Sequence, residues 1–179
     1  MKRLAPLLAL ALAPGFMGCD DDDESATVAS VTELPAAAVT STGDGPLVLH
    51  PSADPAWGWA LSAPVRIAEH VGGSADWNWA RLSVFQAGIE VERAEIGADV
   101  LNAAGIARVE PLSSRTHALV FRLNSNAFDF LILELQFTDL KDGREFPSGV
   151  PFETFSGVGV SPDPLSVPQS DVARLDTGR

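Results

Sequence analysis

Leu131, Leu133, Leu135 and Phe137 alternate strictly with Ile132, Glu134, Gln136 and Thr138. Successive side chains of an extended strand point to opposite faces, so this spacing puts one face on a core and lets the other turn polar. A helix would spread the same residues around its axis. The pattern recurs where Leu119, Phe121 and Leu123 alternate with Val120, Arg122 and Asn124, and again at Leu82 and Val84 within Trp79 to Gln86. Ala87-Gly88 then reads as a short turn into a strand over Ile89 to Ile96, and Val65 to Val71 is a further strand ended by Gly72-Gly73. Asp142-Gly143 is a turn signal leading from the 131–138 strand into Arg144 to Phe146. One short helix is expected, Ala98 to Ala104, with Gly105 as its terminating glycine. Short alternating strands joined by turns predict an all-β protein, an antiparallel β-sandwich, with a small open barrel as the alternative.

The globular part resembles the immunoglobulin and fibronectin type III class of cell-envelope modules. The resemblance is architectural, because the chain has a single Cys and no Tyr. It therefore has neither a core disulfide nor a tyrosine corner. With 46% hydrophobic and 20% charged residues, the 179-residue chain can build a real core.

The ends read differently. Lys2 and Arg3 precede an apolar stretch from Leu4 to Phe16. That is shorter than the roughly 20 residues a membrane-spanning helix needs, and Pro6 and Pro14 interrupt it. Phe16-Met17-Gly18-Cys19 comes next, and it resembles the lipobox of bacterial lipoprotein precursors, although that family more often has Leu and a small residue where Phe16 and Met17 stand. The resemblance implies a signal peptide over 1–18 and a Cys19 that becomes the lipidated, palmitate-bearing N-terminus. Such acyl chains anchor a protein to a membrane at about 0.8 kcal/mol per buried methylene. Behind Cys19 come Asp20, Asp21, Asp22, Asp23 and Glu24, a self-repelling block. Residues 19–46 are read as lipidated Cys plus acidic tether, reaching on the order of 25–30 Å, with a weakly alternating Val28 to Leu34 inside it. The acidic run reads equally as inner-membrane retention, as a surface-export signal or as a plain spacer. Residues 47–169 are assigned to the sandwich. After Phe155 the chain is punctuated by Gly and Pro, and 170–179 is expected to be a loose tail.

Twelve basic residues against 24 acidic ones give a formal charge of −12, which disfavours phosphate backbones and excludes a nucleic-acid partner. Common catalytic patterns are missing. Without the leader the one lysine is Lys141, and there is no Gly-x-Ser-x-Gly elbow and no Gly-Lys phosphate loop. His50, His70 and His117 lack ligand spacing, and Asp139, Asp142 and Gly143 suit a turn better than a calcium loop. Glu90 and Glu92 share a strand face by spacing and are the one acid-base pair on offer. A solvated face explains them more simply. No catalytic residue, cofactor or metal is assigned.

The four tryptophans form two Trp-x-Trp dyads, Trp57-Gly58-Trp59 and Trp77-Asn78-Trp79. In a regular strand each dyad sets two indoles on one side, a platform for a protein or carbohydrate partner. The competing reading is that they close the ends of the core. The sequence thus leads to a non-enzymatic module for binding, adhesion or scaffolding, held at a bacterial cell envelope by lipidated Cys19. The alternative is a lipid-anchored hydrolase or carbohydrate-active enzyme.

Overall fold

A computed structural model describes residues 34–164 and the backbone of a strand at Val172–Leu175. Eleven strands run in chain order: β1 (Val39–Gly43), β2 (Leu47–Pro51), β3 (Trp59–Glu69), β4 (Ala75–Gln86), β5 (Ile89–Gly97), β6 (Arg108–Val109), β7 (Ser114–Leu123), β8 (Phe130–Asp139), β9 (Glu145–Val150), β10 (Val158–Val160) and β11 (Val172–Leu175). A short helix, α1 (Ala98–Ala103), comes after β5, and a 3-10 turn, Phe152–Thr154, after β9. One sheet has the order β10-β2-β3-β7, with β1 also on β3; the other has β5-β4-β8-β9, with β6 on β4. Apart from β10 on β2 and β11 on β7, the pairings are antiparallel.

The expected alternation places the core between the two sheets. Leu61, Ala63, Val65 and Ile67 of β3 and Leu119, Phe121 and Leu123 of β7 face Leu82 and Val84 of β4 and Leu131, Leu133, Leu135 and Phe137 of β8, all in one buried cluster. Val120 is buried as well, although it stands on the opposite parity of β7. The protein is an all-β sandwich with one short helix, and Gly105, at φ 69°, lies just beyond that helix as its spacing indicates.

Both ends of the domain depart from the sequence reading. Part of the segment assigned to tether belongs to the sandwich: β1 pairs with β3 from Val39↔Glu69 to Gly43↔Val65, and Ala37 is buried. Small residues let this segment lie close to its neighbours. At Gly73 a Cβ would stand 2.6 Å from the Ala37 backbone, and at Gly43 it would meet the Phe155 ring at 2.7 Å. In the expected loose tail, Val172–Leu175 forms β11. Val28 to Thr32 lies outside the described residues, and Leu34 is exposed and not in a strand.

Two buried carboxylates fix the end of the sandwich at which β3 and β8 stop. The Glu69 carboxylate accepts four backbone N–H bonds: Oε1 from Ala38 and Val71 at 3.1 Å each, Oε2 from Gly72 at 2.8 Å and Leu112 at 2.9 Å. Asp139 accepts from Ala37 and Lys141, both at 2.9 Å. Burial alone pushes Glu69 up, but the four N–H bonds outweigh it and hold the carboxyl at about 2.

A carboxylate whose folded pKa is depressed stabilises above its unfolded pKa and stops doing so as pH falls through its folded one. Glu69 therefore contributes fully above about pH 4.5, and its contribution is lost progressively down to about pH 2. Glu69→Gln, which turns an acceptor into a donor facing N–H groups, is expected to cost about 3 kcal/mol at pH 7. Chemical denaturation should also show a shallower loss of stability between pH 4.5 and 2 in the variant. At the β4-β5 turn, Ala87 has φ 51° and Gly88 φ 76°, as a type I′ turn requires of both positions. Ala87→Asn should raise stability by about 0.5–1 kcal/mol by relieving the left-handed alanine.

Candidate binding face

The Trp77-Asn78-Trp79 dyad does not form a platform, and the reason lies in the strand pairing. Trp77 stands opposite Phe137 of β8, but Trp79 stands opposite Gln136, so Asn78 is an extra residue on β4. A bulge of this kind reverses the side-chain parity of the residues beyond it. Before it, Ala75 and Trp77 point inward; after it, Ala80, Leu82 and Val84 do, and Trp79 turns outward. Asn78 ties the bulge down through Nδ2, which donates to Thr138 Oγ1 at 2.8 Å.

Trp77 is consequently a core residue, 1% exposed. Its ring lies 6.1 Å from Phe137 and 5.8 Å from His117, and Nε1 donates to the Trp79 carbonyl at 2.9 Å. His117, half-buried against this indole, has its pKa lowered first by burial and then by Arg115. Trp59 is partly buried and packed on the core, with its backbone between Pro51 and Leu123. Trp57, in the loop before β3, is half-buried, and its N–H donates to the Asp54 carbonyl at 3.0 Å. Of the four candidates, Trp79 is the one set on the outer face of the second sheet.

That face has two halves. In the half near the bulge, the Arg81 guanidinium lies 4.3 Å over the Trp79 ring and donates through Nε and Nη2 to Glu95 Oε2, at 3.0 and 2.8 Å. Arg81 also stands opposite Glu134 of β8. In the half near the β4-β5 turn, Phe85 stacks on its cross-strand partner Phe130, with centroids 4.6 Å apart and planes 8° from parallel. Phe130 and Ile132 are each 42% exposed, and Ile89 and Val91 at the start of β5 are exposed as well. Arg93 pairs with Glu90 at 2.7 Å beside them. An apolar group bordered by paired charges of both signs lies on a rigid sheet. The sequence signal for it was Phe130 and Ile132, apolar residues on the otherwise polar parity of β8.

Elsewhere the acids hold backbone. Glu92 accepts from Asn124 N–H at 2.6 Å and Ser125 N–H at 3.3 Å, so the Glu90 and Glu92 pair is committed to an ion pair and to a loop. A hollow of about 10 Å³ lies between Leu82, Leu133, Val150 and Phe155, and no titratable group lines it. Among the described residues no group of three His, Cys, Asp or Glu side chains is placed to hold a metal. His70 instead meets Thr40 Oγ1 at 2.7 Å. Cys19 and the stretch read as a leader, residues 1–18, lie outside the described residues. Compared with known proteins, the chain matches no protein-family model and no curated sequence.

These placements separate two tryptophans that the sequence treats alike. Trp77→Ala should cost about 3–5 kcal/mol by emptying the core, whereas Trp79→Ala should cost no more than about 1 kcal/mol, the scale of an exposed cation-π contact. Urea denaturation of the two variants checks the contrast.

Proposed function

We propose that this chain is a non-catalytic module at a bacterial cell envelope, anchored through lipidated Cys19, and that its β5-β4-β8 face binds another protein. The observation that carries the reading is the exposed Phe130 and Ile132, with half-buried Phe85 stacked on Phe130, beside charges of both signs. An apolar centre with a polar rim is the anatomy of a protein interface. A carbohydrate site is less well suited. Phe85 and Phe130 stack across neighbouring strands at about the strand spacing, so ring edges rather than ring faces point away from the sheet.

Sheet pairings β1/β2-β3-β7 and β5-β4-β8-β9, with a buried Trp77 on β4, support an immunoglobulin-like reading of the sandwich. Among the described residues no helix is long and apolar enough to cross a membrane. The proposed anchor is Cys19, at the end of a leader that resembles those of lipoprotein precursors. On this part of the domain Glu95 is bonded to Arg81, Glu90 to Arg93 and Glu92 to the N–H of Asn124.

Two substitutions test the two halves of the proposal. Cys19→Ala should move the protein out of the membrane fraction and abolish incorporation of labelled palmitate; unchanged fractionation contradicts the anchor. Phe130→Ser combined with Ile132→Ser should remove the crosslinked products formed at the membrane while the melting temperature stays within a few degrees of the parent. Persistence of those products in the folded variant contradicts the face.

A further inference from the structure

The end of the sandwich at which β3 and β8 stop carries exposed apolar side chains on four separate segments: Leu34 ahead of β1, Val71 between β3 and β4, Leu112 between β6 and β7, and Leu140 between β8 and β9. The backbone draws these segments together. The Val71 and Leu112 N–H groups share the Glu69 carboxylate, Leu140 N–H donates to the Ser74 carbonyl at 3.0 Å, and a Cβ at Gly72 would stand 3.6 Å from Pro35 Cγ, beside Leu34. We infer that this tip is a membrane-contacting surface, which sets Leu34, Val71, Leu112 and Leu140 against the headgroup region of a lipid bilayer. The inference rests on the anchoring reading of Cys19 and adds to it how the domain stands on the bilayer.

Leu112 carries the most weight. Ser113 N–H donates to the Glu110 carbonyl at 3.3 Å, which closes a four-residue turn with Pro111 second and Leu112 third, at φ 51°. That third position of a type II turn suits Gly or Asn, and a leucine there is strained. The same leucine is 71% exposed, so it gains little from the core. An apolar side chain held where both backbone and water disfavour it marks a contact outside the domain.

A lipid surface fits the surroundings of the tip. The described domain begins there, at Leu34, and residues 20–33, read as tether, keep it within about 20 Å of Cys19 by coil scaling. The whole chain is acidic, at −12, but the loops of the tip are not: Glu110 and Asp142 are balanced by Lys141 and Arg144, all exposed. Headgroups therefore do not repel this end. The four side chains stand on separate segments rather than on one continuous sheet, which suits a fluid surface that needs no matching shape. The Phe85 and Phe130 stack lies at the other end of the ten-residue β8, about 30 Å away. A domain resting on this tip turns its protein-binding group away from the bilayer.

The test supplies its own anchor, so it reads the tip whether or not Cys19 is acylated in cells. The chain from residue 19 onward, with Cys19→Ser and a hexahistidine tag ahead of it, is held on phosphatidylcholine vesicles that contain a nickel-chelating lipid and a lipid spin-labelled just below the headgroup. A fluorophore sits on Glu110→Cys at the tip in one preparation, and in the other on Asn126→Cys, in the β7-β8 loop at the opposite end. The lipid spin label should quench the tip fluorophore several-fold more than the distal one. Leu112→Asn with Leu140→Asn should bring the tip down to the distal level while the protein stays bound and folded. Leu112→Asn alone should lower tip quenching in part with no loss of melting temperature, since Asn suits the turn. Equal quenching of the two labels in bound protein overturns the inference, as does tip quenching that these substitutions leave unchanged. Shielding of the tip from aqueous iodide that rises with surface density, without quenching by lipid, marks a second copy as the occupant and overturns it as well. Incorporation of palmitate at Cys19 reads the anchor separately, so failure of either reading is seen by itself.

Discussion

Four backbone N–H groups converge on the Glu69 carboxylate, and they come from segments far apart in the chain: Ala38 ahead of β1, Val71 and Gly72 after β3, and Leu112 ahead of β7. Val71 and Leu112 are themselves exposed, so core packing of these side chains does not hold the two connections in place. A carboxylate with both oxygens saturated by N–H donors does so, and it also satisfies backbone groups that would otherwise be buried unpaired. Asp139 holds the adjacent Ala37 and its own turn in the same way. These two groups define where the folded domain begins, and they set the β3-β4 connection from which the bulged strand β4 starts.

The same use of acids recurs around the sandwich. Glu92 ties down the β7-β8 loop, Asp129 accepts from Ala87 N–H at the β4-β5 turn, Asp44 holds Arg66 and Thr116, and Asp54 meets Arg122. Much of the acidity of the folded part is therefore spent on internal acceptors and ion pairs. Long-range attraction of a cationic ligand is not needed to explain it. The five consecutive acids behind Cys19 are a separate matter and belong to the tether reading.

The sheets were legible in the sequence because period-two alternation is a local property: Leu131 to Phe137 and Leu119 to Leu123 point where their spacing says. The Ala87-Gly88 and Asp142-Gly143 turns were legible for the same reason, with φ positive at Ala87, Gly88 and Gly143. The Asn78 bulge was not, since a bulge is a mismatch between two strands sixty residues apart, and nothing in Trp77-Asn78-Trp79 alone announces it. β1 was hidden by its Thr, Ser and Gly, which carry no hydrophobic signal yet suit a strand pressed against Phe155. Glu69 carries no local signal of its role, because its four donors come from three segments far apart in the chain. The bulge matters most for function: it sends Trp77 into the core and gives Trp79 and Arg81 to the outer face, from which the Phe85 and Phe130 stack continues.

Glu69 acts as an ionised acceptor that organises this end of the domain, and the direct measurement of that role is its own titration. Carbon-detected NMR of the Glu69 carboxyl, tracked from about pH 7 to about pH 1.5 together with the amide protons of Ala38, Val71, Gly72 and Leu112, reads both the group and its donors. The structure predicts a midpoint at about 2, with all four amide resonances shifting in the same step. A midpoint near the ordinary value of 4.5, with the four amides moving independently of it, would contradict that role.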